Sequence, residues 1–128
     1  TGIKNTRTSA VTSALSAKSM GSGELDVYAT PAMAALIEET AWRSVAAELE
    51  PGSSTVGTLL ELQHLAPTPV GSAVRCETVL TQVEGRKLVF HAEVYDPAGK
   101  IGEATHHRVI VSAGRFTEKA ESRKTCEK

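Results

Sequence analysis

The chain has almost no cysteine: of 128 residues only Cys76 and Cys126 carry a thiol, and they stand far apart. Neither a metal-ligand spacing nor a secreted disulfide framework can be built from such a pair, so both read as free thiols. Aromatic residues are scarce at 4%, and 14 basic side chains face 15 acidic ones without a basic run. A nucleic-acid surface concentrates positive charge and interleaves it with aromatics, so nucleic acid is not expected as a partner. No stretch approaches the roughly 18 consecutive apolar residues of a membrane span, and the N-terminus has no signal-peptide core. The expectation is a cytoplasmic protein without a membrane partner. With 41% hydrophobic residues and a net charge of -1, residues 1–128 fit one compact domain.

What is present is organised around one helix. Thr30 offers an N-cap hydroxyl, Pro31 fits the first helical position, and an alanine-rich run to Ala47 follows. Helical spacing lines Glu38 up with Ala34, Ala35, Ala41, Trp42 and Val45, while Glu39 reaches Arg43 as an ordinary exposed pair. Glu38 is therefore expected to point inward, and Trp42 and Met33 to belong to the core.

After the helix the period changes to two. Over residues 55–66 a strand puts Leu60, Leu62 and His64 on one face and Glu61 and Gln63 on the other. Further strands are expected from Ala73 to Val83, from Arg86 to Tyr95 and from Lys100 to Val111, joined by turns at Glu84-Gly85 and Asp96–Gly99. Residues 1–19 read as a leading strand and loop, and 113–128 as a charged tail that frays. A carboxylate and an imidazole aimed at a core both resist desolvation unless paired, which is the usual condition of acid–base groups.

One long apolar helix followed by antiparallel strands predicts an α+β chain in the hot-dog arrangement, with the sheet curled around the helix. Its uncovered edge predicts at least a homodimer.

The segments Val27–Met33, Leu36–Glu39, Val56–Thr58, His64–Gly71, Val83–Arg86 and Ile101–Arg108 resemble the hot-dog thioesterases of the fluoroacetyl-CoA thioesterase type, over most of residues 20–116. The resemblance implies an acyl-CoA substrate, a homodimer and neither metal nor cofactor. It also implies a catalytic group of Thr30, Glu38 and His64, two of which the burial argument had chosen. In that family phenylalanines in the loop before the threonine close the acyl pocket; Met20–Leu25 has none, which implies hydrolysis of another short or medium acyl-CoA.

In the chemistry expected of such a group, Glu38 attacks the carbonyl or orients water, His64 moves the proton, and Thr30 hydrogen-bonds the glutamate or the thioester. Gly57 can offer a backbone N–H to the carbonyl oxygen. Arg108, Arg86 and Lys87 are cations available to CoA phosphates, although surface cations are common. His91 is expected on a solvated face, and the consecutive His106 and His107 on opposite sides of a strand. A non-catalytic acyl-CoA sensor is the competing function. A hydratase is disfavoured because neither Asp26 nor Asp96 is followed by the histidine it requires.

Overall fold

The computed structural model describes the backbone of residues 1–126 and the side chains of residues 1–124, so the expected thiol of Cys126 lies outside the described side chains. Strand β1 (Lys4–Ala10) precedes a short helix α1 (Ala17–Met20) and the long helix α2 (Thr30–Val45). Strands β2 (Ser53–His64), β3 (Ala73–Glu84), β4 (Lys87–Asp96) and β5 (Gly99–Ser112) follow, and the chain turns into helix α3 (Ala113–Ser122). The strands form one antiparallel sheet in the order β1-β3-β4-β5-β2. Helix α2 lies against its inner face.

Spacing explains the seating of α2. Met33, Ile37 and Ala41 are fully buried, flanked by Leu36, Thr40 and Val45. They meet Phe90, Ala92 and Val94 of β4 and Ala104 of β5, which face the helix by alternation, together with Ile101, the extra residue at the β4–β5 register shift. Gly102 permits the closest approach, because a side chain there would run into the Met33 thioether. The helix is nevertheless not enclosed all round, as its composition had suggested. Trp42 is 39% exposed and stacks under the Arg43 guanidinium, at 4.7 Å, so it is not a core residue. Glu39 bonds Arg43 at 3.0 Å as expected.

Several boundaries differ from the expectation: β2 runs Ser53–His64 instead of 55–66, and β5 is one residue longer at each end. The β3–β4 turn is Gly85-Arg86, one residue later than expected, with Gly85 at the positive φ (61°) that glycine adopts cheaply. Helix α2 stops at Val45 and tightens into a 3-10 turn over Ala46–Glu48. Within the expected charged tail, Ala113–Ser122 is helical instead of frayed, and the Ala113 N–H donates to Gly52 O at 2.9 Å where α3 begins. Its charged side chains had masked this helix, which buries no residue.

Candidate functional site

Two clusters of functional side chains stand along α2. The first is at its start. Thr30 is the first helical residue, and the cap position belongs to Ala29, so the expected N-cap role is not what the hydroxyl does. Instead Thr30 Oγ1 lies 2.8 Å from His64 Nδ1 at the end of β2. Pro31 starts the helix without an N–H to satisfy, which leaves the threonine hydroxyl free for the imidazole. His64 points to the helix side with Leu60 and Leu62, both packed on the core, as the strand alternation required. Tyr28 meets the ring edge-on at 6.5 Å.

His64 Nε2 is buried without a hydrogen-bond partner. Burial pushes the imidazole below its ordinary pKa, and the backbone of Ala66 pulls the other way. The ring is thus held neutral near neutral pH, with one nitrogen committed to Thr30 and the other available for proton transfer. A cleft of about 350 Å³ opens beside it, lined by Ser22, Val27, Tyr28, Thr30, Leu65 and Pro67 among others.

The second cluster lies two turns further along, about 12 Å at the helical rise. Glu38 is not buried as expected; its side chain is 46% exposed. Position 38 falls beside the buried Ile37 and Ala41 stripe instead of within it. Its Oε1 accepts from Arg108 Nη1 at 3.3 Å. Arg108 is no surface cation available to phosphates: it is buried in the sheet, where Nε donates to Thr55 Oγ1 at 2.8 Å and Nη2 to Thr55 O at 2.9 Å. Burial works against its charge and Glu38 supports it. Gly57 sits opposite Arg108 across the β2–β5 ladder, and a Cβ there would come within 2.8 Å of Glu38 Oε1. Space for the carboxylate is therefore a reason for glycine beyond the backbone donor considered from sequence.

A fourth member of this cluster, His106, was missed. It is 1% exposed, its Nδ1 is 2.9 Å from Leu59 O, and its Nε2 is 3.2 Å from Arg108 Nη1. An arginine only donates, so Nε2 accepts and Nδ1 carries the proton given to Leu59. The carbonyl is presented by an irregularity: between Gly57 and Leu59 the register slips by one residue, with Thr58 as the extra one. Burial and the Arg108 charge lower the His106 pKa, against the opposing pull of the Leu59 carbonyl. The signal available in the sequence was parity, since His106 shares its face with Ala104 and Arg108.

Thr30 and His64 are thus together, as are Glu38, Gly57 and Arg108, but among the described residues no hydrogen bond or ion pair joins the two groups within one chain. Elsewhere, His91 is half-exposed and bonds Glu93 at 3.1 Å, in keeping with the solvated face expected for it. Tyr95, His91 and Lys100 hold the Glu93 carboxyl down at about 2. Cys76 is buried and free, its thiol pushed up to about 11 by burial. Among the described residues no group of three or more His, Cys, Asp or Glu side chains is arranged to hold a metal.

An antiparallel sheet packed on one long helix is the hot-dog arrangement expected from the sequence. A family model described as fluoroacetyl-CoA-specific thioesterase, FlK, matches residues 11–114, and the chain belongs to that family. A fluoroacetyl-CoA thioesterase from Streptantibioticus cattleyicolor is 36% identical over 94 residues, 73% of this chain and 68% of the relative. A solved point mutant of the fluoroacetyl-CoA-specific thioesterase superposes with a TM-score of 0.89 at 29% identity, covering 95% of each chain. Another, in complex with acetyl-CoA, gives 0.91 at 28% identity over 95% of this chain and 96% of its own. A thioesterase-superfamily protein from Thermus thermophilus, at 24% identity, TM-score 0.88, and 98% and 96% coverage, shares the fold.

Proposed function

We propose that this chain hydrolyses a short or medium acyl-CoA thioester to free acid and CoA, in a site completed by a second copy of the chain, in the cytoplasm where CoA esters occur. The observation carrying this reading is the division of the catalytic side chains into two groups about 12 Å apart along α2. Glu38 is half-exposed and His64 Nε2 has no partner, so each group presents an uncommitted reactive atom. Strand β2, which carries Gly57 and His64, is a 12-residue edge strand with Leu59 exposed, and such an edge invites pairing with its own copy. A two-fold through β2 brings Glu38 of one chain toward Thr30 and His64 of the other.

In such a site the thioester carbonyl carbon meets the Glu38 carboxylate. Attack by the carboxylate forms a mixed anhydride as the carbon–sulfur bond breaks, and water then cleaves the anhydride; alternatively the carboxylate takes a proton from water as that water attacks. In the anhydride route the neutral imidazole that Thr30 holds takes a proton from the water that cleaves the anhydride and passes it to the departed thiolate; in the other route the thiolate takes the proton that Glu38 removed from water. Arg108 holds the carboxylate aimed through its hydrogen bond to Oε1, and Gly57 leaves it room. A single turnover in isotopically labelled water distinguishes the routes, because only the anhydride route leaves label in Glu38.

The sensor reading fares less well, since ligand binding alone needs neither an ionised carboxylate nor a free imidazole nitrogen. The deciding experiment is a panel of acetyl-, fluoroacetyl-, butyryl- and phenylacetyl-CoA with a thiol-detecting reagent. Catalytic release of CoA is expected, and tight binding without release would establish the sensor instead.

A further inference from the structure

Three basic side chains near the site have no partner. Arg86 in the β3–β4 turn and Arg115 and Lys119 on α3 border one cleft of about 570 Å³, and among the described residues none of the three side chains makes a hydrogen bond or an ion pair. Arg115 and Lys119 are one helical turn apart and so share a face of α3. Phe116, 42% exposed, also lines the cleft. Unpaired cations around a concave surface that also offers an aromatic ring are the ingredients for binding a phosphorylated nucleotide.

We propose that this cleft receives the phosphorylated adenosine end of coenzyme A, with Arg86, Arg115 and Lys119 on its phosphates and Phe116 against the base. This rests on the acyl-CoA reading above, and the spacing supports it. Ile110, a cleft residue, lies on the same face of β5 as Arg108, and Ser53, another, is four residues before Gly57 on β2. Four extended residues span about 13 Å. The pantetheine arm has about twelve bonds from sulfur to the first phosphate oxygen, the backbone length of four residues. A thioester held at Glu38 and Gly57 therefore leaves its phosphates at the cleft. Glu48 and Glu50 line it from the segment after α2, and suit the amino edge of a purine, not a phosphate.

The test replaces the three cations together, Arg86→Gln, Arg115→Gln and Lys119→Gln, and compares an acyl-CoA with the matching acyl-pantetheine, which lacks the nucleotide. All three side chains are exposed, and a melting temperature matching the parent's checks the fold. The ratio of KM for acyl-CoA to KM for acyl-pantetheine should rise about tenfold, from three exposed charge contacts. Adenosine 3′,5′-bisphosphate should bind the parent in a calorimetric titration and the variant measurably less. An unchanged KM ratio, or nucleotide binding indifferent to the substitutions, overturns the proposal. If neither thioester is hydrolysed by the parent, the acyl-CoA reading has failed, and the titration alone then decides the cleft: binding lost with the cations supports it, and absence of binding to the parent overturns it.

Discussion

At the scale of single residues, the reaction depends on where two charges and two protons are held. Glu38 lies beside Arg108 and is half open to solvent, so Glu38→Gln keeps shape and packing while replacing the carboxyl group. Turnover should fall by about a hundredfold or more with little change in melting temperature, as kcat and thermal unfolding would record. In the proposed mechanism His106 stands one step back, reaching Glu38 through Arg108 as a positioning residue. His106→Gln retains an acceptor for the guanidinium and should keep most activity; His106→Leu removes it and leaves Arg108 Nη1 short of a partner. The leucine variant should lose kcat by about tenfold with KM nearly unchanged, and a kcat equal to the parent's would remove His106 from the positioning network.

At the scale of elements, the loop between α1 and α2 governs the acyl end. Gly21 takes a positive φ (76°) to end α1, residues 21–26 are exposed, and Ser22 reaches the cleft beside His64. Of residues 21–26 only Ser22 lines the cleft, and the one bulky apolar side chain among them, Leu25, is 68% exposed. Each methylene in an apolar pocket is worth about 1–3 kcal/mol, and an open lid recovers less. Values of kcat/KM across short acyl-CoAs should therefore spread by about tenfold. A preference of many thousandfold for fluoroacetyl over acetyl would contradict this account of the loop.

Elements also mark how far the sequence could be read. Strand β2 was legible, because alternation alone turned His64 inward, and α2 was legible from its proline and alanine run. The slip at Thr58 was not, because a register irregularity depends on the partner strand; with it went the Leu59 carbonyl and the place of His106. Thr30 was readable as polar at a helix start, but its bond to His64 spans 34 residues and no local rule foretells it. Glu38 was misjudged because helical spacing identifies neighbours without saying which flank the sheet leaves open.

At the scale of the whole molecule, the buried imidazoles tie stability to pH. His64 and His106 both have folded pKa values below the ordinary 6.5, so the unfolded chain binds more protons than the folded one as pH falls through that value. Their contribution is fully present above about 6.5 and is lost as pH drops toward the lower folded values. Denaturant midpoints should decline from pH 7 to pH 5, and less steeply for His106→Gln. An equal slope in that variant would mean that His106 is not held neutral by its burial.

At this scale the proposal's central claim is the assembly of one site from two chains, and subunit mixing tests it most directly. Glu38→Gln and His64→Ala chains, each inactive alone, are unfolded together and refolded in equal amounts. Random pairing makes half of the dimers mixed, and each mixed dimer has one site with both native groups, so about a quarter of the parent's activity should return. If Glu38 and His64 of the same chain serve one site, every site carries one lesion and the mixture stays inactive, which would contradict the account.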